Sequence, residues 1–351
     1  EKLAHLQVAL SYVSPIDLGE DSCYSAKYYS EYVKQIIAVA QAAGGSIDSL
    51  CIKDMSGQLS VATVVPLIIT LQQFELPIVL HCHSTDEARS LAVVYAAINA
   101  GISGVEVALE PLSGGASHHD ISQFYRHENI QSLDWAVVEQ LKSLLNTAFS
   151  NNIQERKDWA LPLGVLKRLC DIGVPGGAIP FVIADLQSQV CSSLGVDLME
   201  AIKLFEDELN LTQSLLGRMP LVTPTADIIA KQVIKQLGNR ARSEKYQLMD
   251  PRFCALVLGH YGTVHNYATG EVVTVNQLLI DQIKRYCAQI PLDLHGRRTH
   301  AGKVFPEPEV LSRHPSTEVH DDKLIEARQY VAELNTRYPE SVARFGSVAE
   351  C

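Results

Sequence analysis

The chain has 351 residues, of which 47% are hydrophobic and 20% charged, a composition typical of a globular protein with a sizeable core. Its formal net charge of -11 argues against a nucleic-acid partner, which would need a basic surface. The 8 cysteines are scattered without a CxxC pair, which is typical of reduced thiols. Because we find no apolar run long enough to span a bilayer and no secretory signal pattern, we expect a cytoplasmic protein.

Apolar runs alternate with segments of helical periodicity in the first third of the chain. We predict strands at residues 6–13, 49–53, 77–83 and 104–109, and helices at 27–43, 61–74 and 85–100. Such alternation, with strands that are nearly continuous apolar runs, is typical of parallel βαβ units. The pattern predicts an α/β fold, and both an eight-fold barrel and a doubly wound sheet fit it.

Strand patterns become scarce after residue 130. We predict helices at 135–149, 164–170, 197–216, 225–237, 275–289 and 322–335, and a polar surface loop at 295–313. Four βα units make only half of an eight-stranded barrel and would leave open strand edges. We therefore expect further strands upstream of Glu1 or from another chain, unless the sheet is a smaller open one.

Two histidines lie at the end of the third predicted strand. Side chains alternate between the two faces of a strand, so His81 and His83 should point the same way and Cys82 the opposite way. Two imidazoles placed at the carboxyl end of parallel strands can bind one divalent cation such as Zn²⁺. The alternative is a pair of hydrogen-bonded histidines at a strand end.

A lysine ends the preceding strand. Lys53 closes the apolar run 50–52, where its ammonium must find a partner or reach solvent. Beside a metal its positive charge would be repelled, and carboxylation by CO₂ would convert it into an anionic oxygen ligand. The alternative is an ion pair with Asp54 or with a group across the mouth of the sheet.

Six segments follow one another in an order that resembles a known family. They are IKDMSG at 52–57, LHCHST at 80–85, LSGGAS at 112–117, VPGG at 174–177 with ADLQSQ at 184–189, LVTPT at 221–225 and GHYGT at 259–263. Together they resemble the carboxyltransferase domain shared by pyruvate carboxylase, transcarboxylase and the α subunit of oxaloacetate decarboxylase. The resemblance runs from about residue 6 to 265.

This resemblance implies a TIM-type (β/α) barrel, of which the C-terminal part is present at 1–175, a helical extension at 176–275 and a helical tail with a polar loop at 276–351. It implies a divalent metal, Zn²⁺ before Mn²⁺ or Co²⁺, bound by His81, His83 and a carboxylated Lys53. It also implies that Thr223 shuttles a proton, although the segment by itself suits a helix N-cap. The residues implied at the substrate are Asp54, Met55, Gly57, Ser113 and Gly114.

The implied reaction moves a carboxyl group between carboxybiotin and pyruvate or oxaloacetate. We find no lysine flanked by methionines, so biotin is expected on another domain or subunit, and homo-oligomers are the habit of the family. The family's aspartate ligand, in a D-x-T-x-R-D setting, has no counterpart here, and its SQPS stretch reads Ser117-His118-His119-Asp120. A catalytically degenerate scaffold and a related metal-dependent acyl lyase or condensing enzyme are therefore alternatives.

Overall fold

The computed structural model describes residues 5–12, 25–124, 133–149, 163–222, 225–238, 249–262, 264 and 271–308. Thr223 and the helix predicted at 322–335 lie outside these residues. Within them, the first third of the chain forms the predicted α/β unit, and the rest is mainly helical.

A single parallel sheet contains all four predicted strands. They are β1 (Gln7–Ser11), β2 (Ser49–Asp54), β3 (Ile78–Cys82) and β4 (Gly104–Val105). The strands lie side by side in chain order. The connections contain α1 (Ala26–Ala42), α2 (Val61–Leu71) and α3 (Glu87–Asn99). The prediction of parallel βαβ units is confirmed.

One face of this sheet carries the core of the α/β unit. Leu50 and Ile52 of β2 are in register with Ile78 and Leu80 of β3, and all four are fully buried. They share one hydrophobic cluster with apolar residues of α1, α2 and α3. The three helices therefore cover the same face. A doubly wound sheet, which has helices on both faces and reverses its strand order, is not the arrangement of the described strands.

The fourth strand is shorter than predicted. The apolar run 104–109 predicted a strand over its whole length, but β4 ends at Val105. Beyond it, the Ala108 amide donates to the His119 carbonyl and the Ile121 amide donates to the Ala108 carbonyl. The Glu106 amide still donates to the Leu80 carbonyl of β3, but at Ala108 the backbone pairs in parallel with a later segment of the chain, at Asp120.

The second part of the described chain is helical. Its helices are α4 (Trp135–Ala148), α5 (Leu163–Asp171), α6 (Ile179–Asp185), α7 (Leu198–Leu215), α8 (Thr225–Gly238), α9 (Pro251–Leu258) and α10 (Gln277–Gln289). Helix α6 continues into a π-helical stretch, Leu186–Cys191, and a final turn, Ser192–Leu194. A short hairpin follows, with β5 (Thr299–His300) and β6 (Lys303–Val304), where a loop was predicted.

The helical part has a hydrophobic core of its own, to which α5 to α10 contribute. Helices α6 and α9 were not predicted. Each has a proline in its first turn, a position that helices tolerate because the missing N–H would have no partner there. Among the described residues, no helix combines the length and the apolar character that a bilayer crossing requires.

Candidate metal site

Lys53 and His81 are neighbours across β2 and β3. They are partners in the strand register, and both lie on the sheet face opposite the helix-covered core. Lys53 is half-buried. The alternation of strand side chains, which predicted this position from the sequence, therefore places both groups at the carboxyl end of the sheet on one side.

The two histidines of the predicted pair point toward each other. Their Nε2 atoms are 3.1 Å apart, and the ring centroids are 5.0 Å apart. Cys82 points to the other side, where its Sγ lies 3.8 Å from an oxygen of Asp54. Burial raises the pKa of the Cys82 thiol well above its ordinary value, so it stays protonated. The predicted orientation of all three side chains is confirmed.

A third histidine joins this pair. The ring of His118 lies 4.3 Å from the ring of His81 and 4.9 Å from that of His83. One ring nitrogen from each histidine can be chosen so that all three lie within 4.8 Å of one another. In the sequence, His118 stands out only as a departure from the family pattern. The one signal in the sequence that could have pointed to His118 as part of the site is that the segment 117–120, which the family resemblance places near the site, contains an additional histidine.

Hydrogen bonds fix the orientation of two of these rings. His81 Nδ1 lies 2.5 Å from a carboxylate oxygen of Glu106, and His83 Nδ1 lies 2.7 Å from the carbonyl oxygen of Ala116. Both oxygens only accept, so each Nδ1 carries a proton, and a ring protonated at this nitrogen alone presents the lone pair of its Nε2. His118 Nε2 also lies near His81 Nδ1, at 3.2 Å. A metal-binding histidine usually has such a partner on its other nitrogen. Glu106 was not predicted.

The surroundings of His83 and His118 favour their neutral forms. Burial lowers the pKa of His83 to about 4, and any positive charge on His81, His118 or Lys53 acts in the same direction. Burial, followed by the charge of His81, also lowers the pKa of His118 to about 4. Two neutral Nε2 atoms that present lone pairs to each other at 3.1 Å repel unless a proton or a cation lies between them. The donor set therefore fits a divalent cation that prefers nitrogen ligands.

The VPGG segment closes one side of the cluster. The Gly176 amide donates to the Met55 carbonyl over 2.5 Å. A Cβ at Gly176 would lie 2.9 Å from His83 Nδ1, 3.0 Å from the Met55 carbonyl oxygen and 3.1 Å from Thr85 Cγ2. Only glycine lets the backbone approach this closely. The predicted substrate residue Met55 thus lies where the helical part meets the sheet.

Two other predicted substrate residues organise the loop after β2. The buried Asp54 carboxylate accepts hydrogen bonds from the amides of Gln58, at 2.8 Å, and Leu59, at 2.9 Å. Gly57 has a φ of 62°, and a Cβ there would lie 2.3 Å from Thr85 Oγ1. These contacts hold the loop in shape, and a direct contact of Asp54 or Gly57 with substrate stays a prediction.

The loop that carries Ser113 and Gly114 also positions His118. The Gly114 amide donates to the His118 carbonyl over 2.8 Å, with Gly114 at a φ of 85°. The Ser113 hydroxyl donates to Asp120 over 3.4 Å. The predicted role of this loop in substrate binding remains a prediction, while its contribution to the histidine cluster is a finding.

The predicted proton shuttle lies outside the described residues, but its neighbours are described. The hydroxyl of Thr225, at the start of α8, has one proton to donate, and the carbonyl oxygens of Pro220, at 2.6 Å, and Val222, at 2.7 Å, are both within reach of it. The same oxygen accepts the Val222 amide at 3.2 Å. Thr225 therefore holds the chain that leads into α8, and both interpretations of Thr223, as a proton shuttle and as a helix N-cap, stay predictions.

The fold is similar to that of solved carboxyl transferase domains. The carboxyl transferase domain of Rhizobium etli pyruvate carboxylase, solved with pyruvate and biocytin, superposes with a TM-score of 0.59 over 94% of this chain and 50% of that one, at 18% identity. The identity is too low for this likeness to show more than the fold.

Sequence comparison identifies the relatives more narrowly. The B subunit of pyruvate carboxylase from Methanothermobacter thermautotrophicus is 26% identical over 273 residues, which cover 75% of this chain and 43% of the relative. Its counterpart from Methanocaldococcus jannaschii is 25% identical over 74% of this chain and 42% of its own length. No model of a known protein family matches the chain. The chain is thus a homologue of these pyruvate carboxylase subunits that spans less than half of their length, and the resemblance predicted from six motifs is confirmed.

Proposed function

We propose that the chain is the metal-binding part of a biotin-dependent carboxyltransferase that moves a carboxyl group between carboxybiotin and pyruvate or oxaloacetate. The observation that carries this proposal is the meeting of Lys53, His81 and His83 on one side of the sheet, at its carboxyl end. Relatives named as pyruvate carboxylase subunits support the substrate class.

His81, His83 and a carboxylated Lys53 would hold the ion, for which Zn²⁺ suits the imidazole ligands best and Mn²⁺ or Co²⁺ are alternatives. The bound ion would supply a Lewis acid for the ketone oxygen of the substrate. Thr223 would pass the proton between biotin and the substrate at its hydroxyl, because a neutral hydroxyl accepts and donates without leaving a buried charge.

We also propose that the sheet is part of a (β/α) barrel. Its consecutive strand order and its single helix-covered face support this architecture. The division at about residues 175 and 275 into barrel portion, helical extension and tail is proposed with it. Two separate hydrophobic clusters, one in the sheet unit and one in the helices from α5 onward, support a division between the sheet and the helices.

The proposed partners follow from the reaction. Biotin would arrive on a carrier domain or a separate carrier protein, since residues 1–351 contain no lysine flanked by methionines. The solved relative contains biocytin, the lysine conjugate of biotin. Association into homo-oligomers is proposed as well, because β1 and β4 are the two edges of the described sheet and edge strands are commonly covered.

The test is oxaloacetate decarboxylation stimulated by free biotin, measured on the purified chain loaded with Zn²⁺. Lys53→Ala and Thr223→Ala should each lower the biotin-dependent rate by roughly 100-fold or more, the scale of a lost proton-transfer group. Lys34→Ala is the matched control, because Lys34 is exposed and pairs across one helical turn with Glu31. Rates of both site variants equal to that of the parent would refute the assignment, and a metal-loaded parent without activity would favour the degenerate scaffold.

A further inference from the structure

The segment between the fourth strand and α4 brings a histidine to the cluster from outside the βα pattern. The Ser117 amide donates to the Gly114 carbonyl over 3.0 Å, and the Ser84 amide donates to the Ser117 carbonyl over 2.7 Å. The second bond ties this loop to the residue that directly follows His83. The backbone at His118 is therefore fixed relative to the two histidines of the HxH motif.

The next residue shows that the orientation of His118 is specific. His119 is 2% exposed and turns into the core, where its Nε2 lies 2.9 Å from Ser90 Oγ and its Nδ1 lies 2.9 Å from Gln123 Oε1. With its neighbour anchored in the core, His118 has its ring against the rings of His81 and His83, at centroid distances of 4.3 and 4.9 Å.

The loop that contains Ala116 and His118 supplies both a ring of the cluster and a carbonyl group that orients another ring. Ala116, whose carbonyl holds His83 Nδ1, lies two residues before His118. Glu106 holds His81 in the same manner. Two of the three imidazoles thus have the carboxylate or carbonyl partner that is typical of histidine ligands. The arrangement combines the features of a three-histidine site, which in catalytic zinc centres leaves one further position for an oxygen ligand.

We propose that His118 is the third histidine ligand of the ion, beside His81 and His83. This inference rests on the proposed function only in that the same ion would serve the reaction. A third imidazole makes the donor set richer in nitrogen than a set with only the two histidines of the HxH motif. The site should therefore prefer Zn²⁺ or Co²⁺, and its affinity for Mn²⁺, which prefers oxygen ligands, should be weak.

The experiment measures metal binding directly. Zn²⁺ affinity is determined by competition with a chromophoric chelator, and the Co²⁺ form is followed by its visible d–d absorption. His118→Gln should lower Zn²⁺ affinity by roughly 100-fold or more, beyond the 10- to 100-fold typical of a lost outer partner, and should change the Co²⁺ spectrum. His118→Asp should retain an ion but raise Mn²⁺ affinity relative to Zn²⁺. His295→Gln, at an exposed position in the tail, is the matched control and should leave both readouts unchanged.

Thermal unfolding of the metal-free proteins separates a lost ligand from a lost fold. If His118→Gln is unfolded, the His118→Asp selectivity shift decides the question. The inference is overturned if His118→Gln binds Zn²⁺ as tightly as the parent with an unchanged Co²⁺ spectrum, or if His118→Asp keeps the parent's ion preference. A chain that binds Zn²⁺ through His118 but shows no biotin-dependent decarboxylation would refute the proposed function and leave this inference intact.

Discussion

Gly176→Ala tests whether the helical part shapes the histidine cluster. An alanine Cβ at this position would lie 2.9 Å from His83 Nδ1 and 3.0 Å from the Met55 carbonyl oxygen. The Met55 oxygen is backbone and also accepts the Gly176 amide at 2.5 Å, so it cannot move away without breaking that bond. The His83 ring is the part that must shift.

The magnitude follows from these contacts. Overpacking of this kind costs about 1–3 kcal/mol of unfolding free energy. A shift of the His83 ring would weaken its 2.7 Å hydrogen bond to the Ala116 carbonyl, whose net contribution is about 1 kcal/mol. Loss of an orienting partner of this type lowers metal affinity by about 10- to 100-fold. We expect Gly176→Ala to show both effects.

Gly177→Ala is the matched control. A Cβ at Gly177 would lie 3.7 Å from His83 Cε1 and 4.0 Å from Met55 Cε, which are ordinary van der Waals distances. Urea unfolding of the metal-free proteins gives the stability change, and chelator competition gives the Zn²⁺ affinity. An ordinary surface substitution changes stability by less than about 0.5 kcal/mol. The reasoning is wrong if the two alanine variants differ by less than this amount and also bind Zn²⁺ equally well.

Two further predictions concern the helical part. Asp250 caps α9 by accepting a hydrogen bond from the Arg252 amide. Burial acts to raise the pKa of Asp250, but this hydrogen bond and three nearby cations outweigh burial and hold the pKa below its ordinary value of 3.8. Asp250→Asn should therefore cost about 1–2 kcal/mol of unfolding free energy at pH 7. This cost should shrink as the pH falls below 3.8, because the interactions that lower the carboxyl pKa stabilise only its ionised form. Urea unfolding of both proteins at pH 7 and pH 3 measures the cost, and a difference that does not depend on pH would contradict the prediction. Phe205→Ala, at a fully buried position of α7, should cost about 3–5 kcal/mol in the same assay, whereas Leu211→Ala, on the exposed side of that helix, should cost much less, and equal losses would count against the assigned core.

Local patterns in the sequence were sufficient for the sheet and for one half of the site. The apolar runs and their period of two predicted four parallel strands and placed His81 and His83 on one side and Cys82 on the other. These features depend on residues that are adjacent in the chain, so strand geometry alone fixes them. The end of β4 was not predictable in this way, because the Ala108 backbone had a competing partner in the returning chain at His119.

Helix α6 shows a different limit. Its buried residues and those of its π-helical continuation follow helical spacing, so the periodicity was present in the sequence; they are Ile179, Val182, Ile183, Leu186 and Val190. The segment contains Pro180 shortly after a glycine pair, which weakened the helical pattern. The structure places this proline in the first turn, where it does not interrupt the hydrogen bonds of the helix.

The sequence by itself determined the strands, the HxH pair, the position of Lys53 and the relationship to pyruvate carboxylase, since each depends on short segments of fixed internal geometry. Only the tertiary structure decided that His118, Glu106 and Gly176 meet this pair. Their positions depend on how loops far apart in the chain pack against the strand ends, and residue spacing does not encode that path. The composition of the cluster is thus a property of the packed chain, although two of its histidines could be recognised in five consecutive letters, LHCHS.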